Sequence, residues 1–141
     1  MAKKKLVLDT GDQQDYFLAG ISCHQKEFRF VWGLDQVLES KFEKKTDYQI
    51  KTSSGEDASF PFYIWEEPEG HFTYFVLGNR SPAGALIPEF KHADYIFAIT
   101  GLYGQLDTDA ICEQIGSLKM VLTVFEIDPQ KTKSSKNLIL E

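Results

Sequence analysis

The run Ala58-Ser59-Phe60-Pro61-Phe62-Tyr63-Ile64-Trp65, followed after Glu66-Glu67-Pro68-Glu69-Gly70 by His71-Phe72-Thr73-Tyr74-Phe75-Val76-Leu77, decides the fold. Phe60, Phe62 and Ile64 alternate with Tyr63 and Trp65; then Phe72, Tyr74 and Val76 alternate with Thr73, Phe75 and Leu77. A period of two sends successive side chains to opposite faces of a strand, and the Pro-Glu-Gly turn between the runs folds them into an antiparallel pair. Pro61 lacks an amide hydrogen for a ladder, which predicts an edge position or a bulge. Two more strands flank the pair. Asp47–Thr52 ends at the turn Ser53-Ser54-Gly55, and Asp94–Thr100 places Tyr95, Phe97 and Ile99 on one face. Short connections among the first three of these strands favour an antiparallel meander.

Further out, strands are expected at Lys4–Leu8 and Asp15–Ile21, separated by the polar turn 9–14. A long helix over Cys23–Phe42 follows, with Ser22 and Gln25 at capping-box spacing. Its apolar stripe reads Phe28, Val31, Leu34, Leu38 and Phe42, widened by Trp32 and Val37. Asp107-Thr108-Asp109 suits a helix start by capping and by dipole, so a short helix is expected over Asp109–Gly116. A last strand, Lys119–Ile127, stops at Asp128-Pro129. The order ββ-α-ββββ-α-β implies an α+β fold: a single-layer, mainly antiparallel sheet packed against one long and one short helix. At 141 residues this is one domain spanning 1–141, with loose ends at about 1–3 and 130–141.

The net charge is −6, and the body is more acidic than that. Lys3, Lys4, Lys5, Lys131, Lys133 and Lys136 lie near the ends, which leaves 9 of the 15 basic residues and 20 of the 21 acidic ones in residues 6–130. Such a surface repels a phosphate backbone, so nucleic acid is a poor partner and the lysine-bearing ends read as solvated. An accessory RNA contact through those ends is the weakest reading. The aromatic share of 13% is concentrated in residues 60–75. Stacking platforms normally carry basic residues alongside their rings, so cross-strand core packing is the better account. Because both strand faces look apolar, a self-association surface also accounts for the surplus.

No apolar run approaches the roughly 20 residues of a membrane span, and residues 1–9 lack the apolar stretch of about 7–15 residues that a secretory signal needs. Cys23 and Cys112 cannot build a disulfide framework. These features point to the cytoplasm. No phosphate-binding Gly-x-x-x-x-Gly-Lys, dinucleotide fingerprint or Gly-x-Ser-x-Gly elbow is present. His24, His71 and His92 are far apart, and Cys23, His24 and Cys112 lack the paired spacing of a zinc site. A thiol at a helix N-terminus can be activated, but neighbours on a helix point about 100° apart, so His24 is no base for Cys23. A small buried hydrophobe is the expectation there. Among acid pairs, Glu66 and Glu67 flank a turn, and Asp107 and Asp109 start a helix. Neither a catalytic residue, a metal nor a cofactor is assigned.

Glu89 and Asp94 lie in a long connection between strands, and long loops are often functional or specially packed. The same stretch contains Arg80, whose guanidinium can fork onto a carboxylate. Asn79, Arg80, Glu89, Asp94 and Tyr95 are therefore the candidate ligand-binding residues, and Asn79, Arg80 and nearby backbone donors could form a small anion pocket. The competing account is that Arg80 pairs with Glu89 or Asp94 and fastens the loop to the sheet, which needs no ligand.

Ile87-Pro88-Glu89, three residues, then Ala93-Asp94-Tyr95 resembles the signature of the bacterial IPExxxVDY family, with alanine where the family has valine. The likeness extends to Leu18-Ala19-Gly20-Ile21-Ser22, Leu77-Gly78-Asn79-Arg80 and Lys133-Ser134-Ser135-Lys136-Asn137-Leu138. It implies a cytosolic bacterial protein and brings no assigned reaction, cofactor or catalytic residue. The resulting expectation is a non-catalytic binding or interaction module that self-associates as a homodimer, with an unspecified protein partner besides. The alternative is an enzyme or sensor for an anionic small molecule, built on the 77–95 loop.

Overall fold

The computed structural model describes residues 16–52, 54–69, 71–101 and 106–138. The strand expected at Lys4–Leu8 lies outside them. In chain order the elements are β1 (Tyr16–Cys23), α1 (Glu27–Leu38), β2 (Glu43–Lys44), β3 (Tyr48–Lys51), β4 (Asp57–Phe60), β5 (Phe62–Glu66), β6 (Phe72–Gly78), β7 (Arg80–Ser81), β8 (Gly84–Ala85), β9 (Tyr95–Gly101), α2 (Thr108–Gly116) and β10 (Val121–Glu126). Six strands form one antiparallel sheet in the order β10-β1-β9-β6-β5-β2, while β3-β4 and β7-β8 are separate two-stranded pairs. This is the α+β sheet-and-helices fold that the alternating patterns predict.

Both faces of the sheet are covered. On one, Phe17, Ala19, Ile21, Val76, Phe97 and Ile99 pack under Phe30, Val31 and Leu34 of α1 and Ile115 of α2. The Phe30 ring stacks on Tyr95 at 4.6 Å between centroids. On the other, Leu18, Phe75, Leu77 and Ile96 meet Phe60 of β4, Leu86 and Ile87 of the loop, and Leu138 near the chain end. Each fully buried Leu, Ile or Phe stabilises by about 1.5–3 kcal/mol, so two buried layers explain why all eight residues of β1 are buried. The apolar character of both strand faces has this internal cause. Cross-strand packing is where the aromatics of residues 60–75 go: Phe60, Tyr63, Tyr74 and Phe75 are buried.

Five local expectations are corrected. Ala58–Trp65 is not one strand, because Pro61 splits it: β4 pairs with β3, and β5 with β6 and β2. The meander is therefore divided between two sheets. The long helix is shorter than Cys23–Phe42, since Ser22 and Cys23 finish β1. The capping box does not form: the Ser22 hydroxyl donates to the His92 carbonyl (2.7 Å), and Lys26 caps the helix without a side-chain bond. At the other end Glu39 turns left-handed (φ 56°) and stops the helix. Phe28 and Trp32 face outward, 61% and 62% exposed. The helix is apolar round most of its circumference, so spacing alone could not choose the buried face. Finally, 130–138 is no loose end. Lys133–Asn137 forms a 3-10 turn, and Ser135 and Leu138 are buried. The short helix needs no correction; Asp107 caps it, its carboxylate accepting from the Ala110 amide at 3.0 Å.

The split at Pro61 is tied to Gly78. The Gly78 amide donates to the Pro61 carbonyl (2.9 Å), and a Cβ placed on Gly78 would lie 2.8 Å from the Pro61 ring. A ring anchored to the backbone cannot swing aside as a flexible side chain does. Gly78→Ala should therefore cost about 1–3 kcal/mol, the usual range for overpacking. Urea unfolding would show this as a lowered midpoint; an unchanged midpoint would show that the two backbones part freely.

Candidate functional site

The sequence-predicted residues divide sharply once the loop between β6 and β9 is seen folded. Asn79 is fully buried and wholly engaged with its own chain. Its amide nitrogen donates to the carbonyls of Phe90 (3.1 Å) and Ala93 (2.9 Å), and its side-chain oxygen accepts from the Ile87 amide (2.7 Å). Its backbone donates to Asp94 and accepts from Leu86. A buried polar group is tolerable only when its partners are supplied, and here the loop wraps round one side chain that supplies them.

Asp94 ties that loop to the sheet. One carboxylate oxygen accepts from the Cys23 amide (2.8 Å) and the other from Arg80 Nε (2.7 Å), while the Asp94 amide donates to Ile21 (2.8 Å). Arg80 thus pairs with Asp94, not Glu89. Glu89 accepts from the Ser134 amide at 3.0 Å and so draws the C-terminal turn onto the loop. Burial works to raise the Glu89 pKa, but the hydrogen bonding from Ser134 and the charge of Lys133 prevail and hold it below the ordinary carboxylate value. A general acid needs the opposite shift. The Tyr95 hydroxyl donates to the Gln25 carbonyl, and burial pushes its pKa well up. Four of the five residues are thus fasteners of the loop.

Arg80 is different, because it stands between two hollows. The smaller, about 430 Å³, adjoins Asp94, Tyr95, Cys23, His24 and Glu27. Its carboxylates oppose an anion. The larger, about 880 Å³, lies between β3, the β7-β8 hairpin and the C-terminal turn. Lys51, Arg80, Lys91, Lys133 and Lys136 line it, and among the described residues no Asp or Glu does. Ile50, Ala83, Ala85 and Pro88 supply apolar wall. Lys51 is paired with Asp57 (2.7 Å). Lys91, Lys133 and Lys136 are exposed and form no ion pair among the described residues.

Sequence reasoning missed the lysines, since it read Lys133 and Lys136 as a solvated tail. A signal was present: residues three apart eclipse on a 3-10 turn, so both ammonium groups point one way. Two anchors then fix the turn. The Tyr48 hydroxyl donates to the Asn137 carbonyl (2.7 Å), and the Asn137 amide nitrogen donates to the Leu86 carbonyl (2.9 Å).

The cysteine readings close differently from their starting point. Cys23 ends a strand and does not begin a helix. Burial, the largest effect, raises its thiol; a hydrogen bond from Gln25 offsets part of this, and the Asp94 charge adds a smaller upward push. That is the inert, small-hydrophobe behaviour expected of a buried cysteine. Cys112 is likewise raised by burial and nearby carboxylates. Among the described residues no three His, Cys, Asp or Glu side chains gather to hold a metal ion, and no helix is long and apolar enough to cross a membrane.

Removing the Asn79 side chain strands two buried carbonyls and one amide, at about 1–3 kcal/mol for each unsatisfied group. Asn79→Ala should lower stability by roughly 3 kcal/mol or more. Arg80→Ala, which loses an ion pair whose guanidinium side chain is 58% exposed, should cost less than about 1 kcal/mol. Denaturant unfolding of both variants checks the division; equal losses would overturn it.

No model of a known protein family and no curated protein matches this sequence.

Proposed function

We propose that the chain is a non-catalytic binding module, cytoplasmic and bacterial, that holds an anionic small molecule in the cleft beside β3, the loop and the C-terminal turn. The observation that carries this reading is the charge of the lining: among the described residues it holds five cations and no carboxylate, in a chain of 21 acidic and 15 basic residues. Lys51 and Arg80 are paired with Asp57 and Asp94, whereas Lys91, Lys133 and Lys136 have no ion-pair partner among the described residues. An anion relieves the repulsion among such like charges. The volume falls in the range of about 300–1,000 Å³ typical of small-molecule sites. Kinship with the IPExxxVDY family belongs to the same proposal. What supports it is that three positions of the motif have separate roles: Glu89 holds the C-terminal turn, Asp94 ties the loop to β1, and Tyr95 holds the chain ahead of α1. The free thiols of Cys23 and Cys112 suit a reducing compartment.

Thermal unfolding in matched ionic strength tests the reading. Pyrophosphate or citrate at about 100 times its Kd should add about 2.7 kcal/mol of stability, seen as a rise in Tm that chloride does not give. Lys91→Glu with Lys133→Glu should abolish the rise. A rise unaffected by that double variant, or none with any anion, would reject the cleft as the site.

A homodimer is the second reading, and one observation favours it. Phe28 and Trp32 stand one turn apart on the outer face of α1, and Leu122 is 62% exposed on edge strand β10. Aromatic side chains bury about 150–250 Å² each in a contact. Sedimentation should show dimer at tens of micromolar if Kd is about 10⁻⁵ M, with Trp32→Glu returning monomer. A wild-type monomer throughout that range refutes the dimer.

A further inference from the structure

The cleft's cations are divided among three separate pieces of chain. Lys51 belongs to β3, Arg80 and Lys91 to the loop, and Lys133 and Lys136 to the C-terminal turn. A single small anion cannot touch groups spread round a space of about 880 Å³. An anion carrying several charges along its length can. The pairing already present points the same way. Arg80 uses Nε for Asp94, which leaves its remaining guanidinium donors unspent. Lys91, Lys133 and Lys136 have no carboxylate at ion-pair distance among the described residues.

What the lining lacks is equally informative. Aromatic residues make up 13% of the chain, yet among the described residues none lines this cleft. Proteins that hold nucleobases use aromatic rings or an arginine plane to stack them. Here the non-charged lining is aliphatic, hydroxyl or amide: Ile50, Ala83, Ala85 and Pro88 beside Ser81 and Asn137. The aromatic side chains near this part of the molecule are spent elsewhere; Tyr48 packs against Phe62 and holds Asn137 through its hydroxyl.

We infer that the cleft recognises a multiply phosphorylated, non-aromatic ligand, a short oligophosphate chain or a compound bearing one, clasped between the loop cations and the C-terminal lysines. This rests on the anion-binding reading above and specifies its ligand. A free chain and the phosphate tail of a nucleotide share this chemistry, and the base distinguishes them.

Isothermal titration calorimetry on the full chain, at one fixed ionic strength, separates the outcomes. The probes are orthophosphate, tripolyphosphate, ATP and a single-stranded RNA oligomer. Tripolyphosphate should bind one to one, at least tenfold tighter than orthophosphate, with ATP no tighter than tripolyphosphate. Lys133→Glu with Lys136→Glu should weaken tripolyphosphate at least tenfold, whereas Lys133→Arg with Lys136→Arg should retain it. Lys41→Glu with Lys119→Glu changes net charge equally at exposed lysines away from the cleft and should leave the affinity within about twofold, since distant charges are screened. Equal affinity for orthophosphate and tripolyphosphate would overturn the oligophosphate assignment while leaving an anion site. ATP binding tenfold tighter than tripolyphosphate would overturn the non-aromatic assignment. RNA binding tighter than every small probe would replace the ligand class altogether. Equal weakening by the distant lysine pair would mean diffuse charge attraction and overturn the clasp. No binding of any probe would overturn both this inference and the anion-binding reading.

Discussion

Between β6 and β9 the chain leaves the sheet for residues 79–94, and the carbonyls of Phe90 and Ala93 that it turns inward are met by one amide, that of Asn79. Buried backbone groups have to find partners, and an irregular loop has no ladder to provide them. Asn79 substitutes for the ladder, and Asp94 then binds the end of the loop to β1 through the Ile21 carbonyl and the Cys23 amide. Without these bonds Leu86 and Ile87 would have no fixed place against Phe75, Leu77 and Ile96. The second core cluster would lose one of its walls.

The cleft is a consequence of that packing. Once Leu86 is held inward, its carbonyl is presented to the Asn137 side chain, and Glu89 is presented to the Ser134 amide. The C-terminal turn docks on these groups and on Tyr48, with Leu138 buried beneath it. Exposed Lys133 and Lys136 then face the loop. Carboxylates engaged with their own chain thus help to place the cations. Glu89 acts through the segment it holds, and the depressed pKa described above keeps that carboxylate charged over the neutral range.

How much of this could be read beforehand depends on the range of the interaction. The alternation in Phe72–Leu77 and Tyr95–Ile99 is local, and the strands appear where it puts them. Asp107 as a helix cap is also local, and it holds. The Arg80–Asp94 pair was legible as one of two choices, because both acids lie within reach of the same loop. The buried face of α1 was not legible: Phe28, Phe30, Val31, Trp32 and Leu34 encircle the helix, and only contact with Tyr95 selects Phe30 over Phe28. Nor was the cleft. It joins Lys51, Lys91 and Lys133 across long separations in sequence, and no spacing rule connects them. The C-terminal lysines resembled a solvated tail because the burial of Leu138 and the docking of the turn depend on a surface made elsewhere in the chain.

The contrast between body and cleft bears on ligand size. At physiological salt the Debye length is about 8 Å, so a molecule inside the cleft feels chiefly its lining cations and the carboxylates paired with two of them, Asp57 and Asp94. A long polyanion leaving the cleft runs over a surface that is acidic by composition, where 20 of 21 carboxylates lie in residues 6–130. Under the proposed reading, the phosphates of a longer polyanion that extend beyond the rim meet a surface of net acidic composition. A compact polyanion keeps its contacts inside the cleft and has less of that surface to cross, which favours a small, highly charged ligand over a polymer of the same charge.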